Sequence, residues 1–298
     1  MTLAQLQVFV AAAKAGSFTR AAEEIGFTQS AVSQMIHALE KELGVSLFHR
    51  SRSGITPTSI GERMLQHARD ILNITSCMTQ EANMARGLAS GTLRIGSIPS
   101  VASRFLPGLL GSFRKRFPAV EILLLEGEND EINSWLTNSV VDIGFTVHAD
   151  KDLQTISLLQ DEMMVILPDT HPLKDHATLS FSQIVNYCFI MPKDGCIKNM
   201  LHKNSISPSI TFEVRDVTTI LTMVQEYVGV TVMPELYIPQ IIPKVIAIPL
   251  HPAITREVVL AARDWQAVSP ITAEFVIHSQ KYVKELETIH MAKQGQNQ

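Results

Sequence analysis

Cysteine is scarce: Cys77, Cys188 and Cys196 are the whole complement of a 298-residue chain. Three thiols cannot build a disulfide framework, and the odd number fits a reducing compartment, so a cytoplasmic setting is expected. An excess of positive charge is also missing. The net charge of −4 gives no global basic character that would announce a nucleic-acid partner. No uninterrupted apolar run is long enough to span a bilayer, so no membrane partner is expected. The opening "MTLAQLQVFVAAAKAGSF" is apolar, yet it has no basic n-region and Lys14 interrupts it, which argues against an export signal.

Catalytic signatures are lacking too. The chain carries no Gly-rich phosphate loop, no GxSxG and no CxxC. His148, His171, His176, His202, His251 and His278 are scattered through turns and strands, and none has metal-ligand spacing. The expectation is therefore a protein that is not an enzyme and holds no metal. What remains is 46% apolar and 18% charged, enough to build sizeable cores in about two domains.

The first sixty residues are the most informative. Leu3, Leu6, Phe9, Val10 and Ala13 recur at helical spacing. "AGS" breaks that helix, "FTRAAEEI" starts a second, and Gly26 ends it with the backbone freedom a sharp turn needs. A third helix opens at Thr28 or Gln29, with Val32, Ile36, Leu39 and Leu43 as one apolar stripe. Two short helices, a Gly-containing turn and a longer helix form a helix-turn-helix pattern. The front of the third helix carries Thr28, Gln29, Ser30, Ser33 and Gln34, poor core material but suited to hydrogen bonds with base edges and phosphates. A capped amphipathic helix with a solvated polar face is the alternative. "LGVSLFHRSRSGITPTSIG" then reads as a small hairpin wing, whose Arg50 and Arg52 would neutralise phosphates or enter a minor groove.

After Pro57 the character changes. Thr58 or Ser59 would cap a helix, Ser59 with Glu62 at capping-box spacing. After Gly61 no Pro or Gly follows until Gly87, so about thirty helical residues spanning about 45 Å are expected. Met64, Ala68, Ile71, Thr75, Met78, Ala82 and Ala85 alternate four and three apart, as in a dimerising heptad seam. Leu65 and Leu72 form a second stripe suited to the winged unit. A long surface helix on the next domain is the alternative. "GLASGT" reads as a hinge.

Beyond it, β-rich runs ("LRIGSI", "VEILLLEG", "VDIGFTV", "MMVILP", "CFIMP", "ITFEVRD", "GVTVMP", "VIAIPL", "EVVLAAR") alternate with helical ones such as "SRFLPGLLGSFRKRF". That alternation implies an α/β fold of mostly parallel sheet with helices on both faces. Ligands in such sheets bind beyond the carboxyl ends of strands. The places to look are Ser97 to Ser100, Glu128 to Asp130 and Val217 to Thr219. "FRKRF" is read as a solvated or subunit-contact face in preference to a second DNA patch.

The chain resembles the LysR-type transcriptional regulators. The residues that carry this are "AAEEIGFTQSAVSQMIHALEKELGVSLFHRS", "TPTSIGERML", "GTLRIGS", "FLPGLLGSFRKRFP", "LPDTHPL" and "VQEYVGVTVMPE". The resemblance implies a winged helix-turn-helix (1–58), a linker dimerisation helix and hinge (59–90), and an effector domain (91–298) like a type 2 periplasmic binding protein. Its two α/β lobes, about 91–162 plus 267–298 and about 163–266, would be joined by crossover strands near 161–165 and 264–268. It also implies a homodimer or homotetramer on double-stranded promoter DNA, controlled by a small-molecule effector. Gln29, Ser30, Ser33 and Gln34 match the family's DNA-contacting positions, and Arg50 and Arg52 its wing. Ser97, Pro99 and Ser100, with Ser100 as a helix cap, Asn129, Phe145, Cys196, and Val217 and Thr218 before a helix match its effector site. Helix N-termini with Ser and Thr suit a small anion such as a carboxylate; with no Arg or Lys placed in the pocket, a neutral or aromatic ligand is the alternative, and no cofactor is implied. Cys196 reads as pocket lining or, in the alternative, as a redox-responsive thiol, since Lys193 and Lys198 flank it and "DGC" is similar to the family's peroxide-sensing loop. Tyr227 departs from the pattern, standing where the family usually has Gly.

Overall fold

The computed structural model describes residues 1–51, 54–193, 197–198, 201–202, 210–239 and 242–295. Arg52 and Cys196 lie outside the described residues.

Three helices open the chain: α1 (Leu3–Ala15), α2 (Phe18–Ile25) and α3 (Gln29–Leu43). Each begins at a hydroxyl cap, Thr2, Ser17 and Thr28, whose oxygen accepts an N–H of the first turn. Gly26 ends α2 at φ 72°, a left-handed conformation that turns the chain sharply into α3. Phe9, Val32, Ile36 and Leu39 are almost wholly buried between the helices. Phe48 meets Phe9 and Phe18 edge to face. The wing is an antiparallel pair, β1 (Phe48–Ser51) and β2 (Gly54–Pro57), with Phe48 opposite Pro57.

Helix α4 (Ser59–Ala85) follows, 27 residues long. Thr58 is its cap, with Oγ1 2.9 Å from the Gly61 N–H; of the two candidate caps the first is used. Gly61 permits the tight join, because a Cβ there would lie 2.1 Å from the Leu47 carbonyl oxygen.

The C-terminal part contains β3 (Gly91–Ser97), α5 (Pro99–Arg104), α6 (Leu106–Arg116), β4 (Val120–Glu126), α7 (Asn129–Thr137), β5 (Ile143–Thr146) and β6 (Gln154–Pro168). Then come α8 (Phe181–Ile184), β7 (Phe189–Pro192), β8 (Ile210–Val214), α9 (Val217–Gln225), β9 (Thr231–Pro234), a 3-10 turn (Glu235–Tyr237), β10 (Val245–Pro249), β11 (Thr255–Ala262) and α10 (Pro270–Gly295). The helix expected through "SRFLPGLLGSFRKRF" is broken near Phe105 into α5 and α6, with a Pro in the first turn of each.

The expectation of mostly parallel sheet is corrected. The principal sheet is mixed, in the order β10-β6-β11-β5-β3-β4 with β9 also on β6. Only β3 with β4 and β5 run parallel in it. Strand β6 is the reason. It starts nine residues before "MMVILP", pairs with β11 through its first half and with β10 and β9 through its second. One strand thereby serves two cores. The first gathers Leu93, Phe113, Ile143, Phe145, Leu260 and Phe275. The second gathers Val165, Leu167, Phe189, Ile220, Val232 and Ile248.

The second crossover also moves. Leu250 N donates to Met163 O, and Met163 N to Ile254 O, so the chain returns between 250 and 255 and not at 264–268. Val258, Leu260, Ala261 and Ala262 then belong to the first core. Lobe II therefore ends near 254, and residues 255–266 go with lobe I.

Candidate DNA-binding face, linker and inter-lobe cleft

On the front of α3, Gln29, Ser30 and Gln34 are exposed, Ser33 is half-buried, and Val32 behind them is fully buried. Burying the 32/36/39 stripe turns this polar turn outward. Thr28 is the exception: its side chain accepts the Ala31 N–H at 3.2 Å, so it serves first as the cap. Arg50 is half exposed, sits 3.3 Å from a Glu40 carboxylate oxygen and lies over the Phe18 ring at 5.2 Å. Glu40 also accepts the Leu47 N–H at 2.8 Å. This carboxylate ties the wing to α3. No local pattern marks it, because its partners lie seven to ten residues on.

Helix α4 has three faces. Leu65 and Ala68 are buried in the winged core, with Met64 and Leu72 partly so. Ala68 is therefore corrected: it packs within its own chain and is unavailable to a dimer seam. Thr75 donates to the Ile71 carbonyl of its own helix. Ile71, Ile74 and Met78 are exposed, the last two above 60%. Ile74, absent from the expected seam, joins this strip because 71, 74 and 78 share a face.

The third face of α4 docks on lobe I. Gln66, Arg69 and Asn73 donate to the carbonyls of Thr137, Asn138 and Ser139, the oxygens left without partners where α7 ends. Arg263 pairs with Asp70 and Arg94 with Asp142. Burial pushes the Asp142 carboxyl up, and Arg94 pulls against it. Burial, then the charges of Asp142 and Glu81, push the Cys77 thiol up.

The cleft residues fall differently from expectation. Ser97 is buried and its hydroxyl donates to the Ile98 carbonyl. Pro99 opens α5, whose cap is Ile98, so Ser100 is no cap. Ser100 is fully buried and its hydroxyl accepts Arg256 Nη2 at 2.7 Å. Asn129 Oδ1 accepts from Thr146 and from the Val147 N–H, tying α7 to the end of β5. Phe145 is corrected to a core residue, wholly buried against Phe105 and Phe275. Val217 and Thr218 lie within the first turn of α9, and Asp216 is its cap, accepting the Thr219 N–H at 2.7 Å. Those hydrogen bonds hold the Asp216 carboxyl below its usual range, so α9 already carries an anion at its N-terminus. Tyr227 has φ 61°, a conformation Gly adopts freely.

A buried ion pair went unread in the sequence. Arg256 on β11 meets Asp161 on β6 at 2.8 Å, with side chains 8% and 0% exposed. Asp161 also accepts the Leu236 N–H at 3.0 Å, and Arg256 lies 5.7 Å from the Tyr237 ring. Arg104 on α5 donates to the Ile238 carbonyl at 2.6 Å. The pair sits where both crossover strands pass between lobes. Asp161 and Arg256 fall just before "MMVILP" and "EVVLAAR", where a charged residue reads as the solvent-facing end of a strand.

No described helix is long and apolar enough to cross a membrane. A winged helix-turn-helix joined by a long helix to two hinge-linked α/β lobes defines a DNA-binding regulator with a ligand-responsive domain. Residues 3–62 match the family described as "Bacterial regulatory helix-turn-helix protein, lysR family", and residues 86–283 match "LysR substrate binding domain". The chain belongs to the LysR family of transcriptional regulators.

It is 31% identical to the uncharacterized HTH-type transcriptional regulator YvbU of Bacillus subtilis (strain 168), over 93% of this chain and 97% of that protein. It is 34% identical to the probable HTH-type transcriptional regulator LrrA of Synechococcus elongatus, over 88% and 92%. Among solved structures, full-length OxyR from Pseudomonas aeruginosa superposes with a TM-score of 0.78 at 23% identity, covering 95% of both chains. CbnR in complex with its target DNA gives 0.65 at 22%, covering 95% of this chain and all of that one.

Proposed function

We propose that this regulator reads double-stranded promoter DNA with the front of α3, works as a homodimer or homotetramer joined through α4, and responds to a small molecule bound between its lobes. The observation that carries the reading is the outward polar turn of α3. Gln29, Ser30 and Gln34 are exposed on a helix whose opposite stripe is wholly buried. Side chains so placed suit a major groove: Gln pairs with adenine, Ser with several bases. Arg50 and Arg52 neutralise phosphates beside it. The DNA-bound CbnR structure supports the assignment for a protein of the same family.

The exposed strip of Ile71, Ile74 and Met78 supports pairing of α4 with its equivalent in a second chain. The effector binds where β6 and β11 cross, with Ser97, Pro99, Val217 and Thr218 at the margins. Its acceptor oxygens, a carboxylate among them, compete with Ser100 for Arg256 and so reset the hinge. Quantitative footprinting with the wild-type chain and Gln34→Ala tests the reading. Loss confined to the specific site upholds base reading; equal loss on every duplex overturns it. A small-carboxylate panel in thermal shift, repeated with Ser100→Ala, tests the cleft.

A further inference from the structure

Where α4 lies across lobe I, the two line a half-open cavity of about 370 Å³ away from the inter-lobe crossing. That volume is in the range of small-ligand pockets, about 300–1,000 Å³. Its wall is part apolar, from Leu136, Val141 and Ala262, and part charged. Arg94 is matched by Asp142 and Arg263 by Asp70. Asp264 also lines the cavity and has no ion-pair partner among the described residues. Three carboxylates therefore face two guanidiniums, and the site is net negative.

Gln80 points to the occupant independently of that charge. It lines the same cavity and is 3% exposed, and its Oε1 accepts no hydrogen bond among the described residues. Its Nε2 is held by Ser76 Oγ and the Thr92 carbonyl, each at 3.4 Å. The backbone is fitted around it: a Cβ on Gly91 would lie 2.7–2.9 Å from the Gln80 side chain. A buried acceptor without a donor is costly and uncommon.

We propose that this cavity binds a small organic cation, a primary alkylammonium, which donates to Gln80 Oε1 and lays its short apolar body against Leu136 and Val141. An ammonium brings three donors and no acceptor, which suits a net-negative wall backed by a buried, unpartnered acceptor. A carboxylate of the same size meets the excess negative charge. The bound cation touches α4 and lobe I together, so it favours their docked arrangement.

Cys77 lines the same cavity and is half-buried, whereas Cys188, also half-buried, is in lobe II. Peptide-resolved alkylation by N-ethylmaleimide on the full chain therefore reports the site with an internal control, and it does not depend on DNA binding. The probes are n-butylammonium, butyramide and n-butyrate at matched ionic strength. Butylammonium should slow labelling of Cys77 and leave Cys188 unchanged; butyrate should do neither. Gln80→Leu should weaken the protection about tenfold. Gln80→Glu, which keeps the acceptor and adds charge, should strengthen it about tenfold. Equal protection by butylammonium and butyrate, protection by butyramide alone, or none by any probe would overturn the proposal. So would a Gln80→Glu chain that folds and binds butylammonium no tighter.

Discussion

The winged unit and the inter-lobe crossing use polar residues in opposite ways. On α3, Gln29, Ser30 and Gln34 are exposed, and their neighbours in sequence account for their placement. At the crossing, Asp161, Arg256 and Ser100 are buried and bonded to one another across 156 residues of chain. The first arrangement keeps hydrogen-bonding capacity for a partner outside the molecule. The second spends that capacity internally, in a low-dielectric setting where breaking a bond is expensive. A surface of the first kind can therefore be altered with little loss of fold, whereas a hinge residue cannot.

The sharpest way to break that contrast is Arg256→Met, which leaves the Asp161 carboxylate buried without its cation. A loss of about 3–5 kcal/mol is expected for removing one partner of a buried pair, read by urea unfolding. The pH dependence has a definite sign. Burial pushes the Asp161 carboxyl up while Arg256 pulls it down, so losing Arg256 raises it further. A raised folded value means stability present below the unfolded carboxylate range, about 3.9, and lost as pH rises through the folded value. The Arg256→Met deficit should deepen from acid towards neutrality; a deficit that does not change with pH would show Asp161 solvated.

Met78→Asp tests the exposed 71/74/78 strip proposed to pair with a second copy. The loss in association should be about 1.5–3 kcal/mol, the value of one buried apolar side chain, with monomer unfolding unchanged. Sedimentation equilibrium checks both. A variant that dimerises normally removes the 71/74/78 strip as the interface.

Gln34→Ala should cost about 1–3 kcal/mol on the specific site only, measured against competitor DNA, and leave the melting curve in place. Thr28→Ala should instead cost stability, typically ~1 kcal/mol for a lost cap, since its hydroxyl is engaged by Ala31 N. The pair separates reading from capping within two consecutive turns of one helix. Smallest is Arg50→Ala. Its exposed bridge to Glu40 is worth about 0–1 kcal/mol, but removing one phosphate contact should lower the salt slope by about 1. An unchanged slope would leave Arg50 as a clamp between the wing and α3.

Local pattern carried the N-terminal unit. Helix periodicity, hydroxyl caps and Gly26 involve residues within four positions of one another, so α1, α2, α3 and the wing follow from stretches of sequence alone. The strand runs of the effector domain were legible for the same reason. Wherever a partner is distant, the reading stopped. "MMVILP" gave only half of β6, because its first half alternates polar and apolar residues that another strand, some hundred residues later, explains. Phe145 resembled a site residue at a strand end and proved to be core, filled in by Phe275 from α10. Ala68 fitted a heptad and turned inward, because the winged core reached it first.

The division has one physical cause. Caps, turns and periodic stripes depend on energies between near neighbours, and the order of residues specifies them. The mixed sheet, the return of the chain at 250–255, the Arg256–Asp161 pair and the α4 cavity depend on which distant surfaces meet. Those contacts exist only after loop closure, so only the assembled fold decided them.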